Sequence, residues 1–401
     1  VRDLEQRTPA HAAGSRGTGA GLGRAWLGLL TLTLSSFAAV TTEMLPVGLL
    51  PRIGDAFDVT ESVAGLLVSL YAVMVAVLAV PLTIATRRLP RKALLLGSLA
   101  SYTLSNLLVA VAPGFAVVAV GRALGGITHA LFFSVCIGYA TRLVAAEHTG
   151  RALAIASAGV SAGFVLGVPV GVSLGTSLGW RSAFVAMTAC TALAFVLAAV
   201  VLPGVPTASG AAETRPGRTR RLVTVIASNT LAYMGHYTLF TYVSVLLLRS
   251  GAAPTGVGPL LLVFGAVGLG TLAVAARHLD VRPRASGLVI VGLIAAGIIG
   301  VGLGYPALGA VVVAGIAWNA GFGPVSSLYQ ASAVRARATS PDLAGAWINA
   351  TCNFGIAAGA AVGGGVLDAA GLAAVAWVAA GLVVLALLIV LLAPRAFAAQ
   401  G

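Results

Sequence analysis

The chain reads as long apolar stretches divided by short polar breaks. A helix needs about 20 apolar residues to cross the hydrocarbon of a bilayer. Cutting at charged and Pro/Gly breaks predicts twelve such helices, at roughly 25–50, 62–86, 93–112, 115–141, 152–178, 181–202, 222–248, 256–276, 285–304, 306–333, 343–368 and 371–393. The third and fourth, ninth and tenth, and eleventh and twelfth are separated only by very short turns. The stretch Pro203–Arg221, rich in Pro, Gly, Thr and Arg, divides them into two sets of six. The expected organisation is a tail over 1–24, a six-helix bundle over 25–202, a linker over 203–221, a second bundle over 222–394 and a tail over 395–401.

Composition agrees with this pattern. Hydrophobic residues make up 59% of the chain and charged residues 9%, against about 25% charged in a soluble domain. The chain therefore reads as an all-α, polytopic membrane protein with the lipid bilayer as its main partner. Its 51 glycines suit closely approaching membrane helices. Residues 1–23 are polar and lack a short apolar core, so they read as a cytoplasmic tail and not a cleavable signal. Cys136, Cys190 and Cys352 lie in apolar stretches without metal-ligand spacing and read as packing residues.

The net charge of +13 would suggest nucleic acid in a soluble protein. Here the basic residues sort to alternate breaks. They are Arg2, Arg7, Arg16 and Arg24; Arg87, Arg88, Arg91 and Lys92; Arg142 and Arg151; Arg215, Arg218, Arg220 and Arg221; Arg277, Arg282 and Arg284; Arg335 and Arg337; and Arg395. The positive-inside rule puts these breaks, and both termini, in the cytoplasm, and no nucleic-acid partner is expected.

Against this background Glu43 stands out as a carboxylate inside the first apolar segment. An acid at mid-helix costs about 2.5–3.5 kcal/mol on insertion scales. Two readings stand. Glu43 lies 19 residues past Arg24, about 28 Å along a helix, so it can be an interfacial acid reaching outer water. Alternatively it is a reversible proton carrier or a counter-ion for substrate, with Ser36 on the same face seven residues earlier. Arg122 and His129 share a face of the fourth segment and are candidates to work with Glu43 in proton traffic, or else to hold backbone carbonyls and packing.

Polar groups in the second half supply candidate substrate contacts: His236, Tyr237, Thr241 and Tyr242 in the seventh segment, Asn319, Tyr329 and Gln330 in the tenth, and Asn349 and Asn353 in the eleventh. Each can equally be a satisfied interhelical hydrogen bond. Glycines recur every fourth residue in the fifth segment (Gly159, Gly163, Gly167, Gly171, Gly175, with Pro169) and again in the eleventh (Gly355, Gly359, Gly363). Equivalent placement in the two halves argues for an internal repeat, and a closely packed fifth helix at the interface would let one half rock against the other. No Gly-x-x-x-x-Gly-Lys-Ser/Thr loop, metal cluster or nucleophile–base pair occurs, so neither ATP, a cofactor, a metal nor enzymatic chemistry is expected.

Several fragments together resemble the major facilitator superfamily, within it the twelve-helix drug:proton antiporter branch. They are Thr41-Thr42-Glu43 with Leu49-Leu50-Pro51, Ala64-Gly-Leu-Leu-Val-Ser-Leu-Tyr71, Gly121-Arg122-Ala-Leu-Gly-Gly126, Gly163-Phe-Val-Leu-Gly167-Val-Pro169-Val-Gly171, and Asn353-Phe-Gly-Ile-Ala-Ala-Gly359. The last is similar to sugar-efflux, nucleoside-efflux and chloramphenicol-resistance exporters. The resemblance covers Trp26 to Pro394 and implies two pseudo-symmetric six-helix bundles, both termini cytoplasmic, in a bacterial cell membrane. It implies export of a small organic molecule against protons, by a chain for which a monomer suffices. It also assigns gating to Arg87, Arg88, Arg91 and Asp280, and here the sequence departs from the family. Arg87 stands where the family's loop carries Asp, and Pro90 where it carries Gly, while the second-half copy keeps Asp280. A proton-coupled nutrient importer and a non-transporting receptor share the same implied fold.

Overall fold

The computed structural model describes residues 22–86, 88–144, 149–204, 219–279, 281–339 and 341–397. In chain order the helices are α1 (Leu22–Phe57), α2 (Glu61–Ala85), α3 (Arg91–Ala110), α4 (Phe115–Leu143), α5 (Thr149–Ala162), α6 (Val168–Leu178), α7 (Trp180–Val201), α8 (Thr219–Phe240), α9 (Val243–Arg249), α10 (Val257–Leu279), α11 (Pro283–Gly304), α12 (Leu308–Phe322), α13 (Val325–Arg335) and α14 (Pro341–Leu392). A π-helical turn, Gly163–Gly167, joins α5 to α6.

Ten helical runs among the described residues, with α5–α6 and α12–α13 each taken as one, are long and apolar enough to cross a membrane, and α8 with α9, bent by 41°, makes an eleventh. The 52 residues of α14 would span about 78 Å if straight. That is far beyond the roughly 30 Å hydrocarbon core. Gly371, at φ 77°, breaks α14 into two traverses; only glycine takes this backbone cheaply. The twelve expected traverses are thereby accounted for.

Several boundaries differ from expectation. The first segment does not end near residue 50 but continues to Phe57 through Pro46 and Pro51. Prolines in a helix leave the carbonyl four residues earlier without a donor, and in membranes neighbouring helices make this good. Pro51 frees the carbonyl of Val47, which accepts from Ser244 Oγ at 2.9 Å. The tenth segment is likewise not one helix, because Pro324 separates α12 from α13. The linker over 205–218, Arg87, Asp280 and residues 1–21 lie outside the described residues.

The glycine ladder of the fifth traverse faces α1. A Cβ at Gly159 would fall 2.0 Å from the carbonyl oxygen of Thr33, and one at Gly167 would fall 1.9 Å from Thr41 Oγ1. The face that meets the second half is a different one: Pro169 and Ser173 pack on Gly258, and Phe164 and Val165 on Gly265. In the same manner the Gly355, Gly359 and Gly363 ladder of α14 lies on the α8 carbonyls of Thr230, Met234 and Thr238. The first and fifth traverses of each half thus share one interlock. In that register Thr41 corresponds to Thr238 and Glu43 to Phe240, so the acid has an aromatic counterpart. Between residues 22–204 and 219–397, α2 runs along α14 and α10 along α6.

Candidate functional site

Pro46 organises the site. It leaves the carbonyl of Thr42 without an intrahelical donor, and Arg122 of α4 fills the position: its Nη1 donates to Thr42 O at 2.6 Å and its Nη2 to Glu43 O at 2.8 Å. Its Nε reaches Leu67 O of α2 at 3.5 Å, and the guanidinium lies 4.2 Å from the centre of the Tyr71 ring. The arginine is buried, and three of its N–H donors go to backbone carbonyls while its plane lies on an aromatic ring, a stable way to hold a guanidinium away from water.

The Glu43 side chain is left to another partner. Glu43 is only 7% exposed, so its carboxylate is enclosed by neighbouring helices and does not lie on the protein surface. Its Oε2 stands 3.6 Å from Nε2 of His129, one of the pair predicted with it. His129 Nδ1 lies 2.9 Å from the Tyr71 hydroxyl. With Tyr71 donating to Nδ1, the imidazole hydrogen sits on Nε2 and points towards the carboxylate. Tyr71 and Tyr102 both meet the imidazole edge-on, at 5.5 Å and 6.5 Å between ring centres. An acid, an imidazole and a phenol therefore form one buried chain, which can pass a proton or hold a charge.

The second half presents aromatic groups to this cluster. Next to Glu43, Met44 Sδ accepts from the Tyr237 hydroxyl of α8 at 3.4 Å. His236 stacks on Phe322 with ring centres 3.3 Å apart and accepts at Nδ1 from Trp318 Nε1 at 2.9 Å. Phe240, the counterpart of Glu43, stacks on the same imidazole. Asn353 is buried, its Nδ2 donates to Asn349 O at 3.0 Å, and its Oδ1 has no hydrogen-bond partner among the described residues.

Other predicted residues fall elsewhere. Ser36 is buried against Cys136 Sγ at 3.6 Å. Thr241 bonds to the carbonyl of Tyr237 in its own helix. The Tyr242 hydroxyl donates to Ala360 O at 2.9 Å and fills the space above Gly65 and Gly364, so it seals α2 against α14. Asn319 donates to Gly315 O, Tyr329 pairs with Ser228, and Gln330 is exposed, donating to Ser326 Oγ. Gly163 and Gly167 bound the π turn, with Pro169 and Gly171 following in α6. Arg91 is buried and Arg88 exposed at the α2–α3 turn. Sequence reasoning passed over Tyr71, Tyr102 and Asn106 as site residues; the polar run Ser101-Tyr102-Thr103 and Ser105-Asn106 inside an apolar helix was the available signal.

Residues 32–341 match the family described as Major Facilitator Superfamily. A chloramphenicol efflux pump of Mycobacterium tuberculosis is 34% identical over 350 residues, covering 84% of this chain and 84% of that one. A probable sugar efflux transporter of Mannheimia succiniciproducens is 27% identical over 356 residues, covering 88% and 90%. The crystal structure of a bacterial homolog of the human lysosomal transporter Spinster, inward-facing and unoccupied, has the same fold, with a TM-score of 0.74 at 16% identity over 94% of this chain and 98% of that one.

Proposed function

The chain belongs to the Major Facilitator Superfamily and is a multi-pass membrane transporter, and from this premise we propose that it is a proton-coupled antiporter exporting a small organic molecule. The observation that carries the reading is the buried carboxylate of Glu43, aimed at His129 Nε2 and adjoining the aromatic second half through Met44 and Tyr237. The names of the relatives favour a neutral, polar organic solute of the phenicol or sugar kind.

The mechanism follows from the cost of a bare charge away from water, several kcal/mol even after relaxation. When the interior is open to solvent, the Glu43 carboxylate is hydrated and faces the His129 hydrogen. When it closes, a proton on Glu43 removes the charge, so occlusion and proton uptake go together. Substrate held by the second half, with Asn353 Oδ1 as a free acceptor and Tyr233 and Tyr237 as aromatic faces, competes with that step. Alternating access then exchanges one for the other. Two six-helix units, joined by the 203–221 linker and with both termini in the cytoplasm, are the moving parts of this reading.

Hydrogen bonds joining the two halves support the direction of opening. Ser62 Oγ donates to Asp368 at 2.5 Å, Arg249 to Glu61 at 2.6 Å, and Ser244 to Val47 O. Under the positive-inside orientation these lie towards the outer face and must part for release outside.

Purified protein in liposomes, loaded with chloramphenicol and given an acidic exterior, tests the proposal. The expected result is efflux of the loaded substrate, driven by the pH gradient and abolished in Glu43→Gln. Flux indifferent to the gradient, or unaltered in Glu43→Gln, overturns the coupling.

A further inference from the structure

α3 carries more polar groups than its packing uses. Ser101 pairs with Thr128 at 2.5 Å, Thr103 with Thr191 at 3.0 Å, and Ser105 donates to Gly121 O at 2.7 Å. Two groups stand apart. Neither the Tyr102 hydroxyl nor Asn106 Oδ1 makes a hydrogen bond of full geometry among the described residues, although both side chains are buried, and the Tyr102 hydroxyl interacts with that of Tyr71. They stand four residues apart and so share one face of α3. The Asn106 amide is fixed: Nδ2 donates to Thr42 Oγ1 and to Tyr102 O, both at 3.0 Å, which leaves Oδ1 as the free end. Thr42 is the neighbour of Glu43, and the Tyr102 ring meets His129 edge-on at 6.5 Å. Both orphans therefore flank the Glu43–His129 pair from the α3 side.

A buried hydroxyl and a buried amide oxygen are each costly without a partner. A phenol that donates and a carbonyl that accepts, one turn apart, match the two-sided bonding of a single water. We propose that Tyr102 and Asn106 hold a water on the α3 side of Glu43, and that this water supplies its proton by a route separate from the substrate's. The inference rests on the reading of Glu43 as the proton carrier.

The transfer balances. A proton arriving on the water breaks from it and bonds to the Tyr71 oxygen as the Tyr71 hydrogen passes to His129 Nδ1, 2.9 Å away. His129 releases its Nε2 hydrogen to Glu43 Oε2, 3.6 Å away. Tyrosine and imidazole end neutral, the ring in its other tautomer, and the chain run backwards restores it. Among the described residues, the titratable or charged groups that interact electrostatically with Glu43 include Arg122 and His129 from α4, Tyr71 from α2, Tyr102 from α3, Tyr233 and Tyr237 from α8, and Cys352 from α14.

Infrared detection of the carboxylic C=O stretch after a pH jump, on the full chain in liposomes, tests this without a substrate. Glu43→Gln identifies the Glu43 band by removing it. Tyr102→Phe and Asn106→Leu are each expected to slow the appearance of that band roughly 100-fold, the lower end of what a positioned proton-transfer group contributes. Its final amplitude should stay as in the parent in both, and the thermal midpoint in Tyr102→Phe; Asn106→Leu also loses the bonds to Thr42 Oγ1 and Tyr102 O and lowers the midpoint. Wild-type rates in either variant overturn the water site, as does a loss of amplitude and thermal midpoint together, which marks a structural role. If Glu43→Gln leaves the spectrum unchanged, it is the reading of Glu43 that fails.

Discussion

Arg122 donates to the carbonyl of Thr42, the carbonyl that Pro46 deprives of its helical donor. A proline on α1 and an arginine on α4 are therefore one device: the first creates a buried acceptor and the second satisfies it. Replacing Arg122 by Leu leaves that acceptor orphaned, at a cost of about 1–3 kcal/mol. Pro46→Ala returns an N–H to Thr42, so the same Arg122→Leu change should cost clearly less in that background. Unfolding of the four proteins of this cycle measures the coupling. Equal costs in both backgrounds would refute the pairing.

The proposed coupling through Glu43 has a defined sign. In antiport, protons enter as substrate leaves, so an acid exterior favours export. For one proton per substrate, each pH unit is worth about 1.4 kcal/mol, or roughly tenfold in the attainable substrate ratio. Wild-type accumulation should follow that slope. Glu43→Gln should be flat with pH and still exchange labelled for unlabelled substrate at equal pH, because the proton is needed for net turnover only. A retained slope in Glu43→Gln assigns the coupling to another group.

The legibility of this chain was uneven for physical reasons. Span positions were readable because hydrocarbon thickness imposes a length and apolarity that no tertiary contact relaxes. The ends of α1 were not, because Pro51 signals a stop unless a neighbour such as Ser244 covers the freed carbonyl, and that neighbour is remote in sequence. Glu43, Arg122 and His129 were readable as charged or ionisable groups out of place. Their geometry was not: Arg122 grips backbone and not the carboxylate, which depends on where Pro46 falls against α4. Tyr242 read as a possible substrate contact because it is polar and aromatic, yet its hydroxyl fits a gap left by Gly65 and Gly364 on two other helices.

The glycine ladder predicts a sharp contrast between two single substitutions. A Cβ at Gly159 meets the backbone carbonyl of Thr33 at 2.0 Å, and backbone cannot rotate aside. One at Gly97 meets nothing within 4 Å. Gly159→Ala should separate α5 from α1 and cost about 1–3 kcal/mol, as overpacking does, lowering the thermal midpoint. Gly97→Ala should leave the midpoint unchanged or raise it slightly. Equal behaviour of the two in a thermal unfolding series would remove the ladder from the α1 interface.

The Ser62–Asp368 contact gives a direct handle on the opening step. It joins the start of α2 to α14 at 2.5 Å, a few residues from Gly65 and Gly364, where the Tyr242 hydroxyl already draws the two helices together. Export by alternating access needs this end to part in every cycle, so a covalent tie across it should stop flux without touching the Glu43 cluster. A Ser62→Cys, Asp368→Cys pair, in a chain whose Cys136, Cys190 and Cys352 are replaced by Ala, supplies the tie on oxidation. Substrate flux should fall to background when the pair is oxidised and recover on reduction, and the single-cysteine chains should respond to neither treatment. In the proposed orientation the tied protein should still bind substrate from the cytoplasmic side, since only the opposite end is held. Undiminished flux through a fully cross-linked sample would mean that this end does not open during transport.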